Sequence, residues 1–194
     1  MARKIDGISY PDNVLDVLRN AAIGPAFRAF VESKSAGQNT EFLDASVKLN
    51  SKKHFDLYFF EDGPKAIPIS SFTRQKVSRL ANARLWNNKA GWLDVYAAAR
   101  KEVAHLVQVD YLEAFFESEY FSNPHRQNLI KRTKVPSTLL REIGVKNTAD
   151  LSDVIVLFRS RRETAIQTAD EIARHCGSRL SGKQIVEELV RCNR

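Results

Sequence analysis

No part of this chain constrains its fold more than the stretch from Trp86 to Phe121. Trp92, Val95, Tyr96, Ala99, Val103, Leu106 and Val107 recur three and four residues apart, so they line one stripe of a helix that must bury itself against partners. Tyr111, Leu112, Phe115, Phe116, Tyr120 and Phe121 continue the apolar face densely enough to predict a segment enclosed by other helices. Arg100, Glu102, Glu113 and Glu117 fall off the stripe. A chain organised around such a spine is expected to be all-α.

Signals on either side agree with a helical core. Met1 to Tyr10 reads as a loose polar arm, and the arm is taken to run through residue 12. Pro11, Asp12 and Asn13 then open a helix carrying Val14, Leu15, Val17 and Leu18. Ile23-Gly24-Pro25 breaks it, and a second helix presents Phe27, Phe30 and Val31 before the SKSAGQN turn. Asn39 or Thr40 caps a third helix with Phe42, Leu43, Ala45, Ser46, Val47 and Leu49 on its buried side, closed by Asn50 and Ser51.

His54 to Phe60, HFDLYFF, has the aromatic content of a strand but no neighbouring strand to pair with, so it reads as a short buried helix. Gly63-Pro64 makes a turn and Pro68 holds Ile67 extended. Ser70 or Ser71 caps the next helix, whose Phe72, Val77, Leu80 and Leu85 are expected inside. Asn87 and Asn88 form a loop that ends at Gly91, before the spine.

The 43% hydrophobic and 27% charged content, with 8 Gly and 6 Pro in 194 residues, excludes disordered and collagen-like classes. No apolar run reaches the roughly 20 residues of a membrane span, and the polar start lacks the apolar core of a signal peptide. The expected location is therefore the cytoplasm, with the periphery of a membrane as a second possibility. Cys176 and Cys192 lack metal-site spacing and read as reduced packing residues.

The net charge of +7 is concentrated. Between Ser122 and Lys146 stand Arg126, Lys131, Arg132, Lys134, Arg141 and Lys146 against Glu142 alone. That segment is either a solvated connector or a site for an acidic partner, nucleic acid or acidic lipid. Its candidate anion-binding residues are Arg126, Lys131, Arg132 and Lys134.

Beyond it, Pro136-Ser137 begins a short helix stopped by Gly144. Thr148 or Asp150 caps a longer apolar stretch that breaks near Ser160 and ends at Gly177, and Ser181 opens a last helix. This tail is too apolar to hang free and is expected to pack as a helical extension. Residues 1–12, 13–122 and 123–194 thus divide the chain into an arm, a helical domain, and a basic connector with its extension.

Leu15, Leu18, Gly24, Phe27, Phe30, Asn39, Phe42, the phrase DGPKAIPISSFTR from Asp62 to Arg74, Asn87, Tyr96, Leu106, Asp110, Phe115, Ser118 and Tyr120 stand in a particular order. In that order, over about residues 13–121, the chain resembles the regulator of G-protein signalling (RGS) domain. The resemblance implies an RGS-like helical bundle that binds the α subunit of a heterotrimeric G protein and speeds its GTP hydrolysis. Such a domain holds the GTPase switch segments in place and supplies no catalytic group, metal or cofactor.

It further implies contact residues at one end of the bundle. Asn87, with Asn88 beside it, matches a loop asparagine that touches the partner's catalytic glutamine. Gln38 and Asn39 match a Glu-Asn pair, and Leu106 and Asp110 a contact leucine and a switch-ordering aspartate. An Asn amide both donates and accepts, so it bridges a backbone and a glutamine without adding charge beside phosphate. On this reading Asn39 and Asn87 lie exposed together. The contact face departs from the family at Ser35, Gln38, Leu43, Tyr111 and Ala114, and Pro68 stands where an Asn is common.

Three function classes follow: an RGS-like GTPase activator, an RGS-type scaffold or adaptor without that activity, and a binder of nucleic acid or acidic lipid through residues 126–146. An enzyme is not expected. His54, His105, His125 and His175 lack metal-ligand or nucleophile partners, and P-loop, GxGxxG and G-x-S-x-G patterns are missing.

Overall fold

The structure is a computed structural model that describes residues 2–45 and 51–194. It is all-α apart from one small hairpin among those residues. Two units emerge, one formed by residues 11–122 and the other by residues 2–10 with 123–194.

In the first unit the Asn13 side chain caps α1 (Val14–Arg19) by accepting from the Asp16 N–H, and Pro25 stands in the first turn of α2 (Gly24–Ser33). Ser35 adopts a left-handed φ of 57°, which turns the chain at once into α3 (Gly37–Ala45). Asn39 and Thr40 therefore sit inside the first turn of α3 instead of capping it. The expected buried positions Ser46, Val47 and Leu49, and the close at Asn50, lie outside the described residues; Ser51 opens the next helix. HFDLYFF is helical, as α4 (Ser51–His54) runs into a π-helical turn at Phe55–Phe59 that buries Tyr58 and Phe59.

Ser70 caps α5 (Ser71–Asn82), which buries Thr73, Val77 and Ala81, four residues apart. Phe72 was expected inside but is 65% exposed, because the buried face is set one residue later by Thr73. Leu85, also expected inside, is 45% exposed. The spine is α6 (Lys89–Val107), and Trp92, Val95, Tyr96, Ala99, Val103 and Val107 are all buried along it. A second π-helical turn, Gln108–Leu112, leads into α7 (Glu113–Phe116).

Two aromatic clusters fill this unit. Tyr96 receives the rings of Phe42, Phe59 and His54 at centroid distances of 6.1, 5.2 and 5.5 Å. Phe115 packs against Phe27, Phe30, Phe116 and Phe121. Such stacked, tilted and edge-on pairs add about 0.5–1.5 kcal/mol each beyond the area they bury.

The second unit begins with β1 (Ala2–Ile5) and β2 (Ile8–Pro11, its last residue counted with the first unit), joined through Asp6 at φ 49° and Gly7 at φ 77°. Two successive positive φ angles make the two-residue turn whose twist matches that of the strands. The loose arm is thus a hairpin, and Asp-Gly is the reason. The basic connector is ordered too. Helix α8 (Glu119–Arg132) continues through Pro124 across the division between the units, and Leu129, His125 and Thr133 are buried.

Then come α9 (Ser137–Ile143), ended by Gly144 at φ 86°, a 3-10 turn at Thr148–Leu151 capped by Asn147 with Asp150, α10 (Ser152–Leu157), α11 (Arg162–His175) and α12 (Gly182–Cys192). Their core joins Leu139, Ile143, Leu151, Val154, Ile155, Phe158, Ala165, Ala169, Ala173, Ile185, Val186 and Leu189.

Candidate functional site

The end of the first unit where α6 stops is built by polar side chains that reach across sequence. Glu102 of α6 accepts from the Ser70 N–H at 2.6 Å, the Ser70 hydroxyl at 2.9 Å and the Thr73 hydroxyl at 2.6 Å, so the start of α5 is tied to the last two turns of α6. Burial alone would raise the Glu102 pKa; the hydrogen bonds from Thr73 and Ser70 outweigh it and hold the carboxyl below its ordinary value.

Leu106, half-buried, lies one turn beyond Glu102 on the same face. The clamp therefore brings the Pro68–Ser70 segment, with Pro68 exposed, to the same end as Leu106. On another face Gln108 donates to the Asp12 carbonyl and accepts from the Val14 N–H, both at 2.8 Å, which fixes the start of α1 against the π-helical turn. A hollow of about 190 Å³ between them is lined by Asn13, Val14, Leu15, Ala104, His105 and Gln108. Beside it Val109 is 64% exposed, and Asp110 is exposed as well. This end presents apolar surface at Val109 and Leu106 beside the exposed acid Asp110, a composition suited to a protein partner.

The six contact residues expected from sequence do not assemble. Leu106 and Asp110 share the end just described. Asn87 and Asn88 are exposed but stand before the first turn of α6, about 27 Å from Leu106 at the 1.5 Å rise of an α-helix. Asn88 is engaged there as the helix cap, accepting from the Gly91 N–H at 3.1 Å. Trp86 stacks on Trp92 at 5.5 Å, and the Trp92 indole donates to the Leu85 carbonyl, so this loop is a locked helix start.

Asn39 was expected exposed and is 3% exposed. Its Oδ1 finds no hydrogen-bond partner among the described residues. The helix begins two residues before it, at Gly37, and turns it inward next to the buried Phe42 and Leu43 face. Gln38 is half-buried in the same turn.

The four candidate anion-binding cations stand in α8 and just beyond its end. Arg126 is paired with Asp153, Lys131 and Arg132 are exposed in the last turn of α8, and Lys134 is held through its backbone by Asn193. Sequence reasoning missed a buried relay in the second unit. The Asp6 carboxylate lies 3.0 Å from His125 Nε2, His125 Nδ1 lies 2.9 Å from the Tyr10 hydroxyl, and Asn128 donates to that hydroxyl at 3.2 Å. Burial raises the Tyr10 pKa, so this phenol stays protonated and the relay anchors the hairpin to α8. Asp6-Gly7 was its visible signal.

Among the described residues, no group of three or more His, Cys, Asp and Glu could hold a metal, and no helix is long and apolar enough to cross a membrane. Cys176 and Cys192 are free and half-buried. The chain matches no protein-family model, no curated protein and no solved structure with which it was compared.

Proposed function

We propose that the chain is an RGS-type binding module that docks on the α subunit of a GTPase through the end where α5 begins and α6 stops, and that it does so without accelerating hydrolysis. The observation that carries this reading is the Glu102 clamp, which ties Ser70 and Thr73 to α6 and so brings the Pro68–Ser70 segment to the same end as the Leu106–Asp110 segment, some 40 residues further along the sequence. In the family this chain resembles, the second of these segments carries a contact leucine and a switch-ordering aspartate, matched here by Leu106 and Asp110.

Acceleration of the family's kind needs an amide that orders the partner's glutamine. At this end Pro68 offers neither a side-chain donor nor a backbone N–H. The Asn39 amide is buried, and Asn87 stands a helix length away. These facts support docking without transition-state selectivity.

The test is binding of immobilised α subunits by the wild-type chain, by Leu106→Arg and by Asn87→Ala. Leu106→Arg is expected to weaken binding about tenfold or more and Asn87→Ala by less than about twofold, since a charge placed in an apolar contact is costly and a residue outside it is not. Loss on Asn87→Ala with Leu106→Arg unaffected would move the contact to the other end of α6.

A further inference from the structure

All of the net charge belongs to one unit. Residues 2–10 and 123–194 hold sixteen of the 30 Lys and Arg but nine of the 23 Asp and Glu, giving +7, and residues 11–122 balance to zero. Within the charged unit, Phe158, Arg159, Arg162, Val190, Asn193 and Arg194 line a groove of about 390 Å³. Three arginines thus share its lining with one aromatic and one aliphatic residue, the Arg159 guanidinium lying 5.2 Å from the Phe158 ring centroid.

Their charge is barely compensated. Arg159 and Arg194 have no acidic partner among the described residues, and Arg162 lies 3.9 Å from Glu187, at the limit of an ion pair. Arg162 opens α11, where Glu163 in the same first turn offsets the partial positive charge of the helix end, so the excess charge at the groove is that of the guanidinium groups themselves. Asn193 joins a further cation-bearing segment to the wall: it accepts from the Lys134 N–H at 2.7 Å and donates to the Lys134 carbonyl at 2.8 Å. Arg159 also approaches Gly7 at the hairpin tip.

Planar guanidinium forks match phosphate oxygens in pairs. We propose that this groove binds the phosphodiester backbone of a nucleic-acid duplex, with Arg159, Arg162 and Arg194 as its phosphate contacts and without reading sequence. A single strand is a poorer fit, because it is held by bases stacking on exposed rings, and the two aromatic residues of this unit, Tyr10 and Phe158, are buried. A bilayer is a poorer fit too. The large exposed apolar side chains, Phe60, Phe72, Leu85, Leu93, Val109 and Tyr120, all belong to the other unit, which leaves nothing here to enter the acyl boundary.

Fluorescence anisotropy of the full chain with labelled DNA and RNA duplexes of about 20 base pairs tests the site, with vesicles of phosphatidylserine and phosphatidylcholine as the competing surface. Three phosphate contacts predict a slope of log K on log salt near −3, or about a 50-fold loss of affinity between about 50 and 200 mM salt. Arg159→Ala, Arg162→Ala and Arg194→Ala each lower the slope by about one. Their triple variant loses far more affinity than a charge-matched triple at Arg141, Arg179 and Lys183.

Three results would overturn the site: equal losses in the two triple variants, vesicle binding without duplex binding, or a wild-type affinity that does not change with salt. The wild-type slope needs no variant to fold.

Discussion

The Glu102 carboxylate receives both the backbone N–H and the hydroxyl of Ser70. One side chain of the spine thereby caps the helix that leads away from it and sets the geometry of the proposed docking end. Replacing it reports directly on that coupling. Glu102→Ala is expected to lower stability by about 1 kcal/mol, because charge-assisted hydrogen bonds are lost from a partly exposed site.

The pH dependence has a defined sign. The folded pKa of Glu102 is depressed, so its stabilisation is present above the unfolded carboxyl value of about 4.3 and is lost as pH falls through the folded value. Denaturant titrations of wild type and Glu102→Gln should therefore differ at neutral pH and converge in acid. A gap that widens on acidification would contradict the clamp.

Tyr96 lies in the aromatic cluster with its hydroxyl buried and without a partner among the described residues, and burial raises its pKa. Tyr96→Phe keeps the ring contacts and removes an unpaired polar atom. Stability is expected to be unchanged or to rise by about 1 kcal/mol in chemical denaturation. A loss of about 2 kcal/mol would mean that the hydroxyl is bonded.

Gly7 at φ 77° holds the hairpin turn, and a Cβ there would meet Arg159. Gly7→Ala is expected to cost about 1 kcal/mol. His125→Leu removes the bonds to Asp6 and Tyr10 and costs about 2 kcal/mol. Amide exchange of residues 2–11 should quicken in both variants. Unaltered exchange would show that the hairpin does not depend on the relay.

Helices α11 and α12 meet at Gly182, where a Cβ would stand 2.1 Å from the Ile166 carbonyl oxygen and 2.6 Å from the Asp170 nitrogen. Backbone cannot yield as a flexible side chain does. Gly182→Ala is expected to destabilise the second unit by about 3 kcal/mol, read as a lowered Tm. A neutral outcome would require the two helices to be further apart.

Helical periodicity and capping residues made most of the fold readable in advance. The α6 stripe, the Ser70 cap, the break near Ser160 and the Ser181 cap all rest on local chemistry that a sequence displays. Asp6-Gly7 displayed a turn as well, yet the polar residues around it masked the strands, whose anchors His125 and Asn128 lie more than 110 residues away. Phe72 was misplaced because a hydroxyl contact, Thr73 to Glu102, chose the face of α5 over hydrophobicity.

The contact residues were harder still. Whether Asn39 points out or in depends on where α3 starts, and with a left-handed Ser35 the helix begins at Gly37, before the expected cap at Asn39 or Thr40. Whether Asn87 shares an end with Leu106 depends on α6 running unbroken between them. Spacing alone carries neither fact.

The most direct test of the proposed function compares the affinity of the chain for one panel of GTPase α subunits in three states: with GDP, with a GTP analogue, and with GDP and aluminium fluoride. Docking without acceleration predicts binding to the GTP-analogue state, with aluminium fluoride adding less than about threefold. A preference of about 100-fold for the aluminium fluoride state would contradict the absence of acceleration, since that is the signature of transition-state binding. No binding to any α subunit in any state would contradict the docking itself.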